Sequence, residues 1–295
     1  MAGDDFQLAL YLCYELHYRG FRDVDERWEW EPSLIAFRRS LEDGFEQALT
    51  SQVVIDAGVE DVALALREIA KADDDGPSLA DHLQSVATLD QFREFLIHRS
   101  AYQLKEADPH SWALPRLSGK PKAALMEIQA DEYGSGSAER MHAHLFANAM
   151  AAVDLDPTYG AYVEVIPGPT LATVNLMSMF GLNRRWRGAI VGHLALFEMT
   201  SSGPNRKYAN GLCRLGAPAA TEFFDEHVEA DAVHEVIAVH DLAGSLALDE
   251  PELAHDILFG AQALAALDAR FARSLLGPWK LGQSSLLPAP PASVG

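Results

Sequence analysis

This sequence predicts an all-α bundle of seven or more helices, and three observations carry the prediction. Apolar residues recur at intervals of three and four through most of the chain, the spacing of helices that bury one face. Alternating apolar and polar runs, which would mark half-buried strands, are scarce. Hydrophobic residues make up 48% of 295 positions, enough for a large core without covalent staples.

The elements follow in order. Residues 4–18 read as a first helix. Residues 33–50, SLIAFRRSLEDGFEQALT, read as a second, with Leu34, Phe37, Leu41, Phe45 and Leu49 on a face expected to pack inward. KADDDGPSLAD is charged and contains Gly76-Pro77, which predicts a seam between an N-terminal helical extension and the main body. The main body opens with a long helix, LDQFREFLIHRSAYQLKEA, which offers Phe92, Phe95, Leu96, Tyr102 and Leu104 for burial and ends or kinks at Asp108-Pro109. PKAALMEIQADEYG forms the next helix; Gly134-Ser135-Gly136 interrupts it, and AERMHAHLFANAM resumes. Residues 166–200 hold two helices separated near Gly181, the second closed by Gly203-Pro204-Asn205. A further helix is expected from about Ala219 to His240, and a last one from Glu250-Pro251 to Gly277-Pro278. The final LLPAPPASVG is rich in proline and uncharged, so residues 281–295 are expected to form a flexible tail.

Composition narrows the function. Against 23 Lys and Arg stand 43 Asp and Glu, a formal charge of -20 that repels phosphate backbones and anionic lipid, so neither nucleic acid nor membrane is an expected partner. The two cysteines, Cys13 and Cys213, suggest neither a disulfide framework nor a zinc ribbon, and a cytoplasmic location is expected. No basic segment precedes the first apolar stretch and no apolar run reaches the ~18 residues of a spanning helix, so neither a signal peptide nor a membrane span is predicted.

The chemistry concentrates in HVEADAVH. Offsets of four and three place His227, Asp231 and His234 within about 60° of one another on a helix, so three ligand-type side chains share one stripe. A solvated polar face would give the same letters. A second group changes that balance. Glu106 and Glu132 lie on the helices before it, and His142 follows Glu132 by ten residues. On a straight helix that offset turns by ~280°, so Glu132 and His142 converge only if the chain bends at Gly134-Ser135-Gly136. Three carboxylates and three imidazoles make a mixed oxygen and nitrogen set suited to two non-haem iron or manganese ions in a helical bundle. Zinc fits less well, since its structural sites favour four ligands, often thiolates.

These six residues, with the flanking phrases EADPHSWALPRL, EIQADEYGSG, RMHAHLF and FFDEHVEADAVH, resemble the haem-oxygenase-like diiron oxidases and oxygenases, the iron-containing redox enzymes. The resemblance implies a haem-oxygenase-like seven-helix bundle over residues 88–280, preceded by an N-terminal helical extension over residues 1–87. It implies two ferrous ions held by Glu106, Glu132 and His142 on one face and by His227, Asp231 and His234 on the other. O2 would be the co-substrate, a small molecule the substrate and an external electron donor the partner, with pairing into a homodimer. Its members N-oxygenate amines or guanidines, cleave carbon-carbon bonds of amino acids, or decarboxylate fatty acids to terminal alkenes.

Other residues compete for roles near such a site. Tyr102 lies one turn before Glu106 and is read either as a packing tyrosine or as a donor to a ligand carboxylate. His193 and Glu198 sit on an otherwise apolar helix, where a buried carboxylate needs a partner: a substrate ammonium or guanidinium, or an internal arginine. Arg184, Arg185 and Arg187 form the densest basic cluster; Arg187 could fork onto a substrate carboxylate, or the cluster could pair with surface acids. His144, Glu226 and Glu127 face away from the six. The leading expectation is therefore an O2-activating non-haem diiron enzyme of specialised biosynthesis acting on an amine or amino-acid-like metabolite. Oxidative decarboxylation of an aliphatic acid and a non-catalytic iron-binding or interaction protein are the alternatives. Haem oxygenation needs one axial histidine and leaves five ligand-type residues unexplained.

Overall fold

Helical periodicity closes into helices almost throughout the computed structural model, which describes residues 3–55, 61–73 and 78–289, without the side chains of Asp73, Asp231 and Ala232. The expected seam at Gly76-Pro77 lies outside the described residues. In order the helices are α1 (Asp4–Glu15), α2 (Pro32–Thr50), α3 (Val62–Asp73), α4 (Leu79–Ser85), α5 (Leu89–Gln103), α6 (Asp108–Ser111), α7 (Gly119–Glu132), α8 (His142–Ala151), α9 (Gly168–Leu182), α10 (Arg187–Arg214), α11 (Glu222–Val236), α12 (Ser245–Asp249) and α13 (Ala254–Lys280). No strand occurs among the described residues.

Local chemistry sets several boundaries. Thr88 and Gln91 close a reciprocal capping box at the start of α5, and Pro32 opens α2 where its missing N–H costs nothing. Two expected ends do not occur. Helix α10 runs through Pro204 to Arg214, and α13 runs through Gly277-Pro278 to Lys280. An interior proline costs about 3 kcal/mol. Helix α10 offsets this by burying Leu194, Ala195 and Leu196 before Pro204 and Ala209 and Leu212 after it. Between α11 and α12 the chain does not stop but widens into a π-helical stretch, Ile237–Gly244, a geometry that often accompanies function.

The helices share cores. Leu10 and Tyr14 of α1, Phe45 and Leu49 of α2 and Leu66 of α3 pack in one cluster with Leu176, Ile190, Ile257 and Leu264 of α9, α10 and α13. Phe37 does not join them: only the C-terminal half of α2 meets the core, and Phe37 stays 48% exposed. A second cluster joins α4, α5, α8, α11 and the far end of α13 through Phe92, Phe95, Phe146, Phe223 and Trp279.

The closest crossing is α10 on α13. A Cβ at Gly192 would lie 1.7 Å from the carbonyl oxygen of Ile257, and one at Gly260 would lie 1.9 Å from that of Ala189. Glycine at both positions lets the two backbones touch, which fixes the depth at which His193 and Glu198 enter the bundle. The start of the expected flexible tail is tied down: the Glu94 carboxylate accepts from Trp279 Nε1 at 2.8 Å, from Ser285 N at 2.8 Å and from Ser285 Oγ at 2.6 Å. Leu287 N donates to the Val165 carbonyl. Residues 290–295 lie outside the described residues.

Candidate metal centre

Glu106 sits in the turn that follows α5, one residue before Ala107, which holds a left-handed φ of 72°. A side chain there strains the backbone by about 1–2 kcal/mol. The Ala107 carbonyl accepts from Gln129 Nε2 at 2.9 Å, so α7 braces the turn that presents Glu106. Gln103 Nε2 approaches Glu106 Oε1 at 3.5 Å.

Glu132 is the last residue of α7 and His142 the first of α8. Between them Gly134, Ser135 and Gly136 take φ of 68°, 51° and 90°, and a Cβ at Gly134 would stand 2.7 Å from the Arg140 and Met141 backbone. The bend expected at these glycines is therefore present, and it brings His142 Nδ1 to 2.9 Å from Glu132 Oε2. The contact is ionic by distance but out of line for a hydrogen bond.

Helix α11 supplies the other side. His227 Nδ1 donates to the Phe223 carbonyl at 2.7 Å, which fixes the tautomer and turns Nε2 toward Glu106 Oε1 at 3.5 Å. The His142 and His227 rings lie 4.4 Å apart. His234 Nε2 donates to Asp131 Oδ2 at 3.2 Å, and its Nδ1 faces Glu198 Oε2 at 3.5 Å and Glu132 Oε1 at 3.7 Å. Asp231 lies on the same helix, its side chain outside the described residues.

These atoms form two groups, each with its ligand atoms within 4.8 Å of one another: Glu106, Glu132, His142 and His227 in one, and Glu132, Glu198 and His234 in the other. Glu132 belongs to both. The set matches iron in kind, being carboxylate oxygens and imidazole nitrogens without thiolate. Glu106 Oε2, His142 Nδ1 and His234 Nδ1 are buried and make no hydrogen bond among the described residues, which is costly for a polar atom unless a ligand satisfies it.

The electrostatics agree. Burial pushes the Glu132 carboxyl up, but His142, His227 and His234 outweigh it and hold it at about 2. Burial pushes His234 down, yet Glu198, Glu132 and Asp131 raise it to about 9. His142 is likewise raised, Glu132 overcoming burial. A site that draws protons onto its imidazoles this strongly has negative charge to spare for a cation.

The remaining candidates separate. Tyr102, Glu106, Glu132, Glu198 and His227 line one cavity, together with His110 and Phe197. Glu198 has a neighbour that the sequence did not name: α10 packs along α11 and aims the carboxylate at His234, Oε2 lying 3.5 Å from Nδ1. His193 points elsewhere, its Nδ1 3.1 Å from His110 Nε2. Arg187 pairs with Glu250, and Arg185 grips Glu46 with its two terminal guanidinium nitrogens. The arginine cluster thus ties the start of α10 to its neighbours and lines neither cavity near the site. Glu226 pairs with Arg140, while His144 and Glu127 are exposed. The sequence reading missed Asp131, His110 and Gln129. Asp131 adjoins Glu132 and carried no separate signal; His110 stood within the quoted EADPHSW.

Residues 93–269 match the family model described as iron-containing redox enzyme. No curated protein is similar enough to the chain to count as a match.

Proposed function

The chain belongs to the iron-containing redox enzyme family, and on that premise we propose that it is an O2-activating non-haem diiron oxidase or oxygenase acting on a small amine or amino-acid-like metabolite. The observation that carries the two-ion reading is Glu132, whose two oxygens face different imidazoles, His142 through Oε2 and His234 through Oε1. A carboxylate shared in this way is suited to bridging two ions. One group would be Glu106, Glu132, His142 and His227; the other would be Glu132, Glu198 and His234, with Asp231 added from α11.

Two ferrous ions held there would supply electrons for the reduction of O2, and an external donor would restore them. The protein's part is positional. The Phe223 carbonyl and the Asp131 carboxylate each take an imidazole N–H, so His227 and His234 present their other nitrogens with fixed orientation. Burial of Glu106, Glu132, His142 and His234 keeps bulk water away from the site. Tyr102 lines the same cavity as Glu106, Glu132 and Glu198, and its hydroxyl is kept protonated: burial pushes it up, and the three carboxylates push it further. It is therefore available there as a hydrogen-bond donor.

The amine preference rests on a neighbouring cavity lined by an acid, Asp268, as well as by Arg99. An aliphatic acid alone would need only the arginine. The test is O2 uptake by the iron-loaded, reduced enzyme against panels of amines, amino acids and fatty acids, with products weighed by mass spectrometry. Uptake accelerated by amines or amino acids, with oxygen gained or a carbon-carbon bond lost, is the expected result. Acceleration by fatty acids with release of terminal alkenes would move the assignment to decarboxylation. Absence of O2 consumption with two irons bound would favour a non-catalytic iron-binding protein.

A further inference from the structure

Two buried charges stand beside the candidate metal centre without belonging to either ligand group. The Lys105 ammonium, 1% exposed, meets the Glu15 carboxylate, 2% exposed, with Nζ 2.7 Å from Oε2. Lys105 immediately precedes Glu106, whereas Glu15 ends α1, 90 positions earlier and ahead of the family-matched residues 93–269. Nζ also lies 4.8 Å from the centre of the Tyr11 ring and 4.2 Å from that of Tyr18, so the segment that supplies Glu15 encloses the ammonium. The other Glu15 oxygen accepts from the Tyr159 hydroxyl. Replacing a buried ion pair by apolar side chains of like volume is often neutral or favourable, so stability alone does not account for this one. Its place in the fold does.

The turn that carries Glu106 is pinned on both sides. Ahead of Glu106 the Leu104 carbonyl accepts from Arg19 Nη2 at 2.9 Å, and Lys105 is tied to Glu15. Behind it Ala107 takes its left-handed conformation and its carbonyl accepts from Gln129. The contacts of the carboxylate itself are long: Oε1 lies 3.5 Å from Gln103 Nε2 and 3.5 Å from His227 Nε2, and Oε2 is buried with no hydrogen bond among the described residues. With contacts of that length, the backbone on either side decides where the side chain points.

We propose that Glu15 and Arg19 are positioning residues for the metal centre: acting through Lys105 and the Leu104 carbonyl, they fix the turn that presents Glu106 and strengthen binding of the ion held with Glu132, His142 and His227. The ion of the other group, Glu132, Glu198 and His234, is carried by α7, α10 and α11 and does not depend on them. The inference rests on the two-group reading of the site. It makes residues ahead of the family match part of a centre whose ligands all lie within that match.

The test reads the two ions separately. Glu198→Gln should keep the ion on the Glu106 side and His142→Ala the other, and Arg19→Gln is added to each; Arg19 is exposed, so the fold tolerates its loss. Anaerobic titration with ferrous iron should show affinity weakened about tenfold or more in the Glu198→Gln background and unchanged in the His142→Ala background, with the metal-free melts nearly unchanged. The buried pair then separates positioning from stability. Glu15→Gln should lower the melt, because it leaves the Lys105 ammonium buried without its carboxylate. Glu15→Gln combined with Lys105→Met should restore the melt and still bind the Glu106-side ion weakly. Asp4→Ala, which frees the other end of α1 from its 2.7 Å bond with Gly168 N, should leave both ions as they are. Unchanged affinity in Arg19→Gln, equal weakening of both ions, the same weakening by Asp4→Ala, or recovery of iron affinity together with the melt in the double variant overturns the inference and leaves the two-ion reading standing. Backgrounds that bind two ions or none overturn the two-group reading, and the inference with it.

Discussion

With His234 as an iron ligand, as proposed, iron binding is coupled to pH. In the metal-free fold its imidazole is pushed up to about 9 by Glu198, Glu132 and Asp131 against the effect of burial. The raised value means that protonation of His234 stabilises the metal-free fold at low pH, fully below its ordinary value of 6.5, and that this stabilisation is lost as pH rises toward about 9. Iron needs the same nitrogen without its proton. Ferrous affinity should therefore weaken by about tenfold for each pH unit below that value from this group alone, with protons released on binding. Competition titrations at pH 6.5 and 8 check this; affinity independent of pH would contradict it. Asp131 is exposed, yet it orients His234, so Asp131→Asn should cost about 10- to 100-fold in iron affinity while leaving thermal stability nearly unchanged. Residue identity in the site was readable where spacing exposes it: HVEADAVH put His227 and His234 on one stripe, and the glycines before His142 announced a bend. The meeting of Glu198 with His234 was not readable, because the two lie 36 positions apart on separate helices, and a lone carboxylate in an apolar stretch says that it has a partner without saying which.

At the scale of elements, the α10–α13 crossing holds the half of the site that lies on α10. Gly192→Ala places a Cβ against the Ile257 carbonyl, where backbone must move. It should destabilise the fold by roughly 2 kcal/mol or more and, by displacing His193 and Glu198, lower iron content as well. Thermal melts with metal analysis on one sample read both, and an unchanged melt would contradict the crossing. The C-terminal strap offers an independent case. Burial pushes the Glu94 carboxyl up, but Ser285 and Trp279 prevail and hold it below its ordinary value. Its contribution is therefore present above the ordinary carboxylate range and lost as pH falls through the depressed value. Glu94→Gln should cost about 1–3 kcal/mol at neutral pH, with little loss in acid, as urea unfolding at both pH values would show. The helices themselves were legible from periodicity. Their ends at Pro204 and Pro278 were not, because burial on both sides of a proline carries a helix through it, and burial is a property of the fold rather than of a local window.

For the whole molecule, period and composition were sufficient to exclude strands and to place most helices, since packing of amphipathic faces leaves few other arrangements. No described helix is long and apolar enough to cross a membrane. The way residues 3–55 and 61–73 enter the main apolar core was less legible: the face from Leu34 to Leu49 predicted burial along its length, whereas Phe45 and Leu49 are buried and Phe37 is exposed. How far a face is covered depends on neighbours distant in the chain. The same holds for the site, whose two ligand groups are joined by one carboxylate that no local motif marks as shared. That shared role is the central claim, and stoichiometry tests it most directly. Anaerobic titration with ferrous iron should end near two ions per chain in the wild type, near one in Glu198→Gln and in His142→Ala, and near zero in Glu132→Ala, all with the fold intact by circular dichroism. Retention of one tightly held ion by Glu132→Ala, or only one ion in the wild type, would contradict a centre bridged by Glu132.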